Sequence, residues 1–93
     1  MLQVNDKVKV HMYDSYNREI KTRSYDKVFV VREENGKFGI NWNTEKSPYT
    51  CNGEVFTPFE TFSYSVIFEN VENGKKYHWS NVENKVVEEN RYE

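Results

Sequence analysis

Three of the four glycines in this 93-residue chain directly follow an asparagine, at Asn35-Gly36, Asn52-Gly53 and Asn73-Gly74. Asn-Gly between apolar, β-prone runs is the strongest short-range hairpin signal. A type I′ turn needs positive φ at both central residues, and these two residue types tolerate that best. The chain therefore reads as a small antiparallel sheet, or a partly closed barrel, built from hairpins.

The runs between the turns agree with this. Val8, Val10 and Met12 alternate with Lys7, Lys9, His11 and Tyr13, the period of a half-buried strand. Asp14 to Asn17 is turn-prone. A second alternating run from Arg18 to Tyr25 would pair back on the first. The segment Lys27 to Arg32 is apolar on both faces, as a central strand is. The Asn35-Gly36 turn leads into Phe38, Ile40 and Trp42 on one side of a return strand. Residues 47–58 lie between Pro48 and Pro58. Proline cannot donate to a ladder, so this unit reads as a projecting hairpin rather than a core strand pair.

Phe62, Tyr64, Val66 and Phe68 alternate with polar residues or Ile67 through a long strand to Glu69, which the Asn73-Gly74 turn joins to Lys76–Trp79. Two endings remain open. Ser80-Asn81-Val82-Glu83 matches a capping box at the start of a short C-terminal helix. Lys85-Val86-Val87 suits a last strand nearly as well. Residues 88–93 are polar and expected to fray. One further pattern is a weak repeat, VFVVREENGK at 28–37 against VIFENVENGK at 66–75. Two copies are too few for a solenoid, so two ribbons with the same turn chemistry are expected, each with a Trp on its return strand.

Composition limits the function. The size fits one domain spanning residues 1–93. With two Trp, seven Tyr and six Phe, its modest core would lean on aromatics. A mean hydropathy of -0.94 and no long apolar run argue against a membrane span, and no secretory signal is seen. Cys51 is the only cysteine, which fits a reduced, cytoplasmic setting. The net charge of -2 is uneven, because residues 1–32 carry seven Lys/Arg against four Asp/Glu while residues 33–93 carry six against eleven.

No nucleophile, base and orienting group converge in the sequence, so an enzyme ranks last and no catalytic residue is named. His11, His78 and Cys51 lack a metal-ligand spacing. The glycines sit in turns rather than a phosphate loop. Neither a metal nor a cofactor is expected. Binding remains, in two forms. Lys7, Lys9, His11, Tyr13, Lys21, Arg23 and Tyr25 would share one basic, aromatic face suited to RNA or single-stranded DNA. Alternatively Tyr49, Phe56, Phe59 and Phe62, in a segment long for a connector, would anchor a protein partner or plug an open barrel end.

The stretch VNDKVKVHM (4–12) resembles the first strand of SH3-like and KOW-type small barrels, without the glycine that KOW modules carry after their first hairpin. The whole composition, with eleven Asn, seven Tyr and many Lys and Glu, is similar to small accessory proteins of bacteriophages with AT-rich genomes. That resemblance implies a non-enzymatic inhibitor or modulator of a host protein, often one of a defence system, acting in the host cytoplasm. A host protein thus ranks ahead of RNA or single-stranded DNA as partner; self-association is compatible with either, and no membrane contact is expected.

Overall fold

The computed structural model describes residues 1–20, 27–42 and 54–89. Seven strands form its sheet: β1 (Lys7–Met12), β2 (Val28–Glu34), β3 (Lys37–Trp42), β4 (Val55–Pro58), β5 (Val66–Asn70), β6 (Lys76–Ser80) and β7 (Lys85–Glu88). A single 3₁₀ turn, η1 (Phe59–Thr61), links β4 to β5. The strand order is β4-β3-β2-β1-β5-β6-β7, and every neighbouring pair is antiparallel. Strand direction therefore alternates across the sheet, and with an odd number of strands both edges run the same way. They cannot pair antiparallel with each other, and the sheet stays open.

The sheet curls instead. β2 pairs with β1 through Val28, Phe29 and Val30, and with β3 through Val31 to Glu34. The strand thus hands the sheet over from one half to the other. Inward residues from both halves make one cluster, with Val8, Val10, Phe29, Val31, Ile40 and Phe68 at its centre. Residue Phe59 of η1 drops into it at 1% exposure, and η1 touches both β3 and β6. The loop that connects one edge to the middle of the sheet is thereby a lid on the core.

Several sequence expectations change here. Residues 55–58 are not part of a projection; they are edge strand β4, paired with β3 from Gly39–Pro58 to Trp42–Val55. Pro58 ends that strand, where a missing N–H costs least. Residues 43–53, with Asn52-Gly53 and Cys51, lie outside the described residues. β2 is internal to the sheet but not buried on both faces, since Val28 and Val30 are 41% and 43% exposed. The long strand from Phe62 is shorter, because η1 and a turn at residues 63–66 precede β5.

The turns divide into two kinds. Asn35 and Gly36 have φ of 52° and 78°, and Glu34 faces Lys37 across them, as a two-residue type I′ hairpin requires. Asn73-Gly74 does something else. Only Gly74 has positive φ, at 74°, and it closes a four-residue loop in which its N–H donates to the Asn70 carbonyl at 2.8 Å. Buried Asn70 is satisfied within the loop, accepting the Glu72 N–H at 2.9 Å.

Residues 81–84 repeat that loop without glycine. Asn84 takes the left-handed position at φ 57°, and its N–H donates to the Ser80 carbonyl at 2.8 Å. Half of the capping box is present, since Ser80 Oγ accepts the Glu83 N–H at 3.1 Å. The helix does not continue past this one turn, because left-handed Asn84 stops it. The C-terminal segment is accordingly strand β7 and not a helix.

Gly39 is constrained by proximity rather than by φ. A Cβ there would lie 2.2 Å from the Thr57 carbonyl oxygen. Gly36→Ala is expected to cost about 1 kcal/mol from its positive φ. Gly39→Ala should cost at least about 3 kcal/mol by prying β4 from β3. Urea unfolding of both variants checks the order.

Tyr77 supplies a second check. Burial pushes its phenol above the usual value of 10.0, assisted by Glu88 and Asp6. The native state thus holds the proton more tightly than the unfolded chain. This stabilisation is complete below pH 10 and is lost as pH rises through the elevated pKa. Tyr77→Phe should flatten that alkaline limb in unfolding experiments.

Candidate functional site

The two surfaces suggested by the sequence fare differently. On β1, Lys7 is exposed and Lys9 half-buried, facing away from the core as the alternation predicts. Lys9 lies opposite Glu69 of β5, which lies opposite Lys76 of β6. His11 is held between two carboxylates. Its Nε2 is 2.8 Å from Glu69 Oε1, in an aligned hydrogen bond. Its Nδ1 is 3.0 Å from Glu19 Oε1, a contact of charge proximity only. Tyr13 points outward but is 8% exposed. Lys21, Arg23 and Tyr25 lie outside the described residues.

His11 lies opposite Ile67 on β5, and the β5–β6 register continued by one pair puts His78 opposite Ile67. Ile67 is fully buried although it faces away from the core cluster. His78 meets the edge of Tyr64 at 4.9 Å between centroids and lies 3.0 Å from Glu89 Oε2. This face is thus a mesh of histidines and carboxylates. An anion approaching Lys9 or His11 would also meet Glu19 and Glu69. Among the described residues no cluster of His, Cys, Asp or Glu is arranged to hold a metal ion, and no helix is long and apolar enough to cross a membrane.

The aromatic segment is mostly internal. Phe59 is buried at 1% exposure, its ring against Phe68. Phe62 is half-buried between Trp42 and Phe68, at centroid distances of 5.5 and 5.2 Å. Phe56 sits half-buried on β4 opposite Asn41. Tyr49 lies outside the described residues. Phe59 and Phe62 thus pack in or against the core of the open sheet.

A concave site occurs where no motif marked one. The start of β3 and the η1 turn face the start of β7 across the open seam of the sheet. Between them lies a groove of about 360 Å³, within the size range of ligand and side-chain pockets. Its floor is apolar, formed by Leu2, Phe59, Trp79 and Val86, with Phe38 and Pro58 on one lip. Phe38 is 48% exposed, an uncovered aromatic at the groove mouth. Trp79 is oriented by its indole N–H, which donates to Asn81 Oδ1 at 3.0 Å. The polar rim carries Lys37, ion-paired with Glu60, and on the other lip Lys85 and Asn84. β4 stops at Pro58 opposite Gly39, so Lys37 and Phe38 run on beyond the paired edge.

Sequence reasoning named only Phe59 among these residues and missed the others, because they come from four separate stretches of chain. The only trace is that Phe38 and Trp79 both lie on return strands of the two similar ribbons. Compared with known proteins, the chain matches no family model, no curated protein and no solved structure.

The Asp14 turn beside His11 offers a check on this face. Its carboxylate accepts the Tyr16 and Arg18 N–H groups at 2.8 and 2.9 Å and the Arg18 Nε–H at 3.2 Å. The Arg18 backbone bond is the largest cause holding its pKa below 3.8, followed by those of Tyr16 and of the Arg18 side chain. The turn's support is present above pH 3.8 and lost as pH falls through the depressed value. Amide shifts of Tyr16 and Arg18 are expected to titrate together there by NMR, and Asp14→Asn should abolish the transition.

Proposed function

We propose that this chain is a non-catalytic binding protein that seats part of another protein in the seam groove. By its resemblance to bacteriophage accessory proteins, we read it as an inhibitor or modulator of a host protein. The observation that carries the reading is the exposed Phe38 at the mouth of an apolar, Trp-floored groove. Exposed aromatics beside a pocket are the usual anchors of protein interfaces. The RNA or single-stranded DNA reading has less support, because stacking needs an open aromatic face and Tyr13 is buried.

Capture from nuclease-treated bacterial lysate tests the reading. Tagged wild-type protein is expected to retain a specific protein partner. Phe38→Asp should weaken that capture by at least about thirty-fold, as loss of a central anchor does. Reversal of Lys7 and Lys9 to Glu, on the opposite face, should leave it intact. Capture seen only from untreated lysate, or lost on the lysine reversal, and falling steeply with salt, would replace this reading with the nucleic-acid one.

A further inference from the structure

We infer that the occupant of the groove is an extended peptide that pairs with the edge of β7 that no described strand covers, with a large apolar side chain inserted beside Trp79 and an acidic residue next to it. This rests on the protein-binding reading above and specifies its mode. Three independent observations lead to it.

The first is the hydrogen-bond phase of β7. The Glu89 N–H donates to the Lys76 carbonyl at 2.7 Å, so those two residues are a hydrogen-bonded pair. Such pairs alternate along an antiparallel ladder. His78–Val87 and Ser80–Lys85 are therefore the next bonded pairs, and Tyr77–Glu88 and Trp79–Val86 are not. The N–H and C=O groups of Val86 and Glu88 consequently point away from β6. Among the described residues no strand pairs with that edge.

The second is continuity. Val86 lines the groove and also carries two of the outward-pointing backbone groups. A strand added at this edge would run along the groove, and its alternate side chains would face Trp79, Phe38 and Leu2. Main-chain pairing combined with pockets for alternate side chains is the physics of β-strand addition.

The third is charge. Lys37 and Lys85 stand on opposite lips, 56% and 54% exposed. Glu60 is ion-paired with Lys37, and Glu83 is 4.0 Å from Lys85. A carboxylate carried in beside the apolar anchor would meet Lys85 at short range. The outward backbone groups, the apolar floor and this lysine together select an acidic-apolar extended segment over a compact hydrophobic ligand.

The probe is a display library of random linear peptides selected on the full-length protein. Selected peptides are expected to share a large apolar residue adjacent to Asp or Glu. On binding, the Val86 and Glu88 amides should become protected from hydrogen exchange. Glu88→Pro removes an N–H that β6 does not use, so the fold is retained while affinity falls about ten-fold. Lys85→Glu should reverse the preference for an acidic neighbour. Thermal unfolding of both variants verifies that the sheet is intact.

Peptides whose exchange protection maps elsewhere, or binding indifferent to Glu88→Pro, would overturn the strand-addition mode. So would concentration-dependent self-association through β7 without peptide selection, which would make a second copy the occupant. A lysate partner sensitive to Phe38→Asp but not to Glu88→Pro would keep the groove and discard the paired strand. The two readings therefore fail separately.

Discussion

A chain of aromatic contacts folds an open sheet over itself, and every surface feature follows from that. Phe29 meets Trp42 at 5.2 Å, Trp42 meets Phe62 at 5.5 Å, Phe62 meets Phe68 at 5.2 Å and Phe68 meets Phe59 at 4.8 Å. The last three are edge-to-face, the arrangement that the ring quadrupoles favour. These rings come from β2, β3, the segment around η1, and β5, so they tie the two halves of the sheet across its inner face. A sheet of seven alternating strands has no antiparallel partner for its own edge. Curling over an aromatic core buries the inner face without closing the ladder. The groove is what remains where the curl stops short.

The turns show how far local chemistry alone determines the path. Asn35-Gly36 could be read directly, because a two-residue loop leaves no other way to satisfy its φ values. Asn73-Gly74 has the same two residues in a similar decapeptide, yet it sits at the end of a four-residue loop. What differs is the residue four places before the glycine: Asn70 is buried and turns its side chain onto the Glu72 N–H. The 81–84 loop is the same device with Asn84 in the glycine position. Its local signals, a Ser and a Glu three apart, are those of one helical turn, and one helical turn is what forms. Whether a second turn follows depends on Val86 and Val87 packing beside Trp79 and His78, which is tertiary information.

The strand pattern predicted which residues of β1, β3 and β5 face inward, since period two leaves little freedom once a core exists. It did not predict which outward residues would be covered. Tyr13 and Ile67 point away from the core cluster and are nonetheless buried, and His11 is engaged by Glu19 and Glu69. A basic run on an alternating strand reads as an anion surface, and sequence does not show what lies across the ladder from Lys9. Here that neighbour is acidic. The same limit hid the groove, whose lining comes from the N-terminal segment, the β2–β3 hairpin, η1 and the β6–β7 hairpin. Their proximity is a consequence of curl, which no local pattern encodes.

An exposed strand edge is normally a hazard, and small proteins blunt it with short length and charge. β7 has both, with four residues that begin at Lys85 and end at Glu88. Two like edges brought together antiparallel would place each Lys85 near the other copy's Glu88, a favourable contact, so charge alone does not prevent pairing. Length does more. Only Val86 and Glu88 present outward backbone groups, and a few net hydrogen bonds at about 1 kcal/mol each do not offset the entropy of association. An edge this short holds a partner only if the partner also fills the adjoining pocket. For the proposed peptide that requirement would make a generic sticky edge selective: backbone pairing would supply direction and register, while Trp79, Phe38 and Lys85 would decide which side chains are accepted.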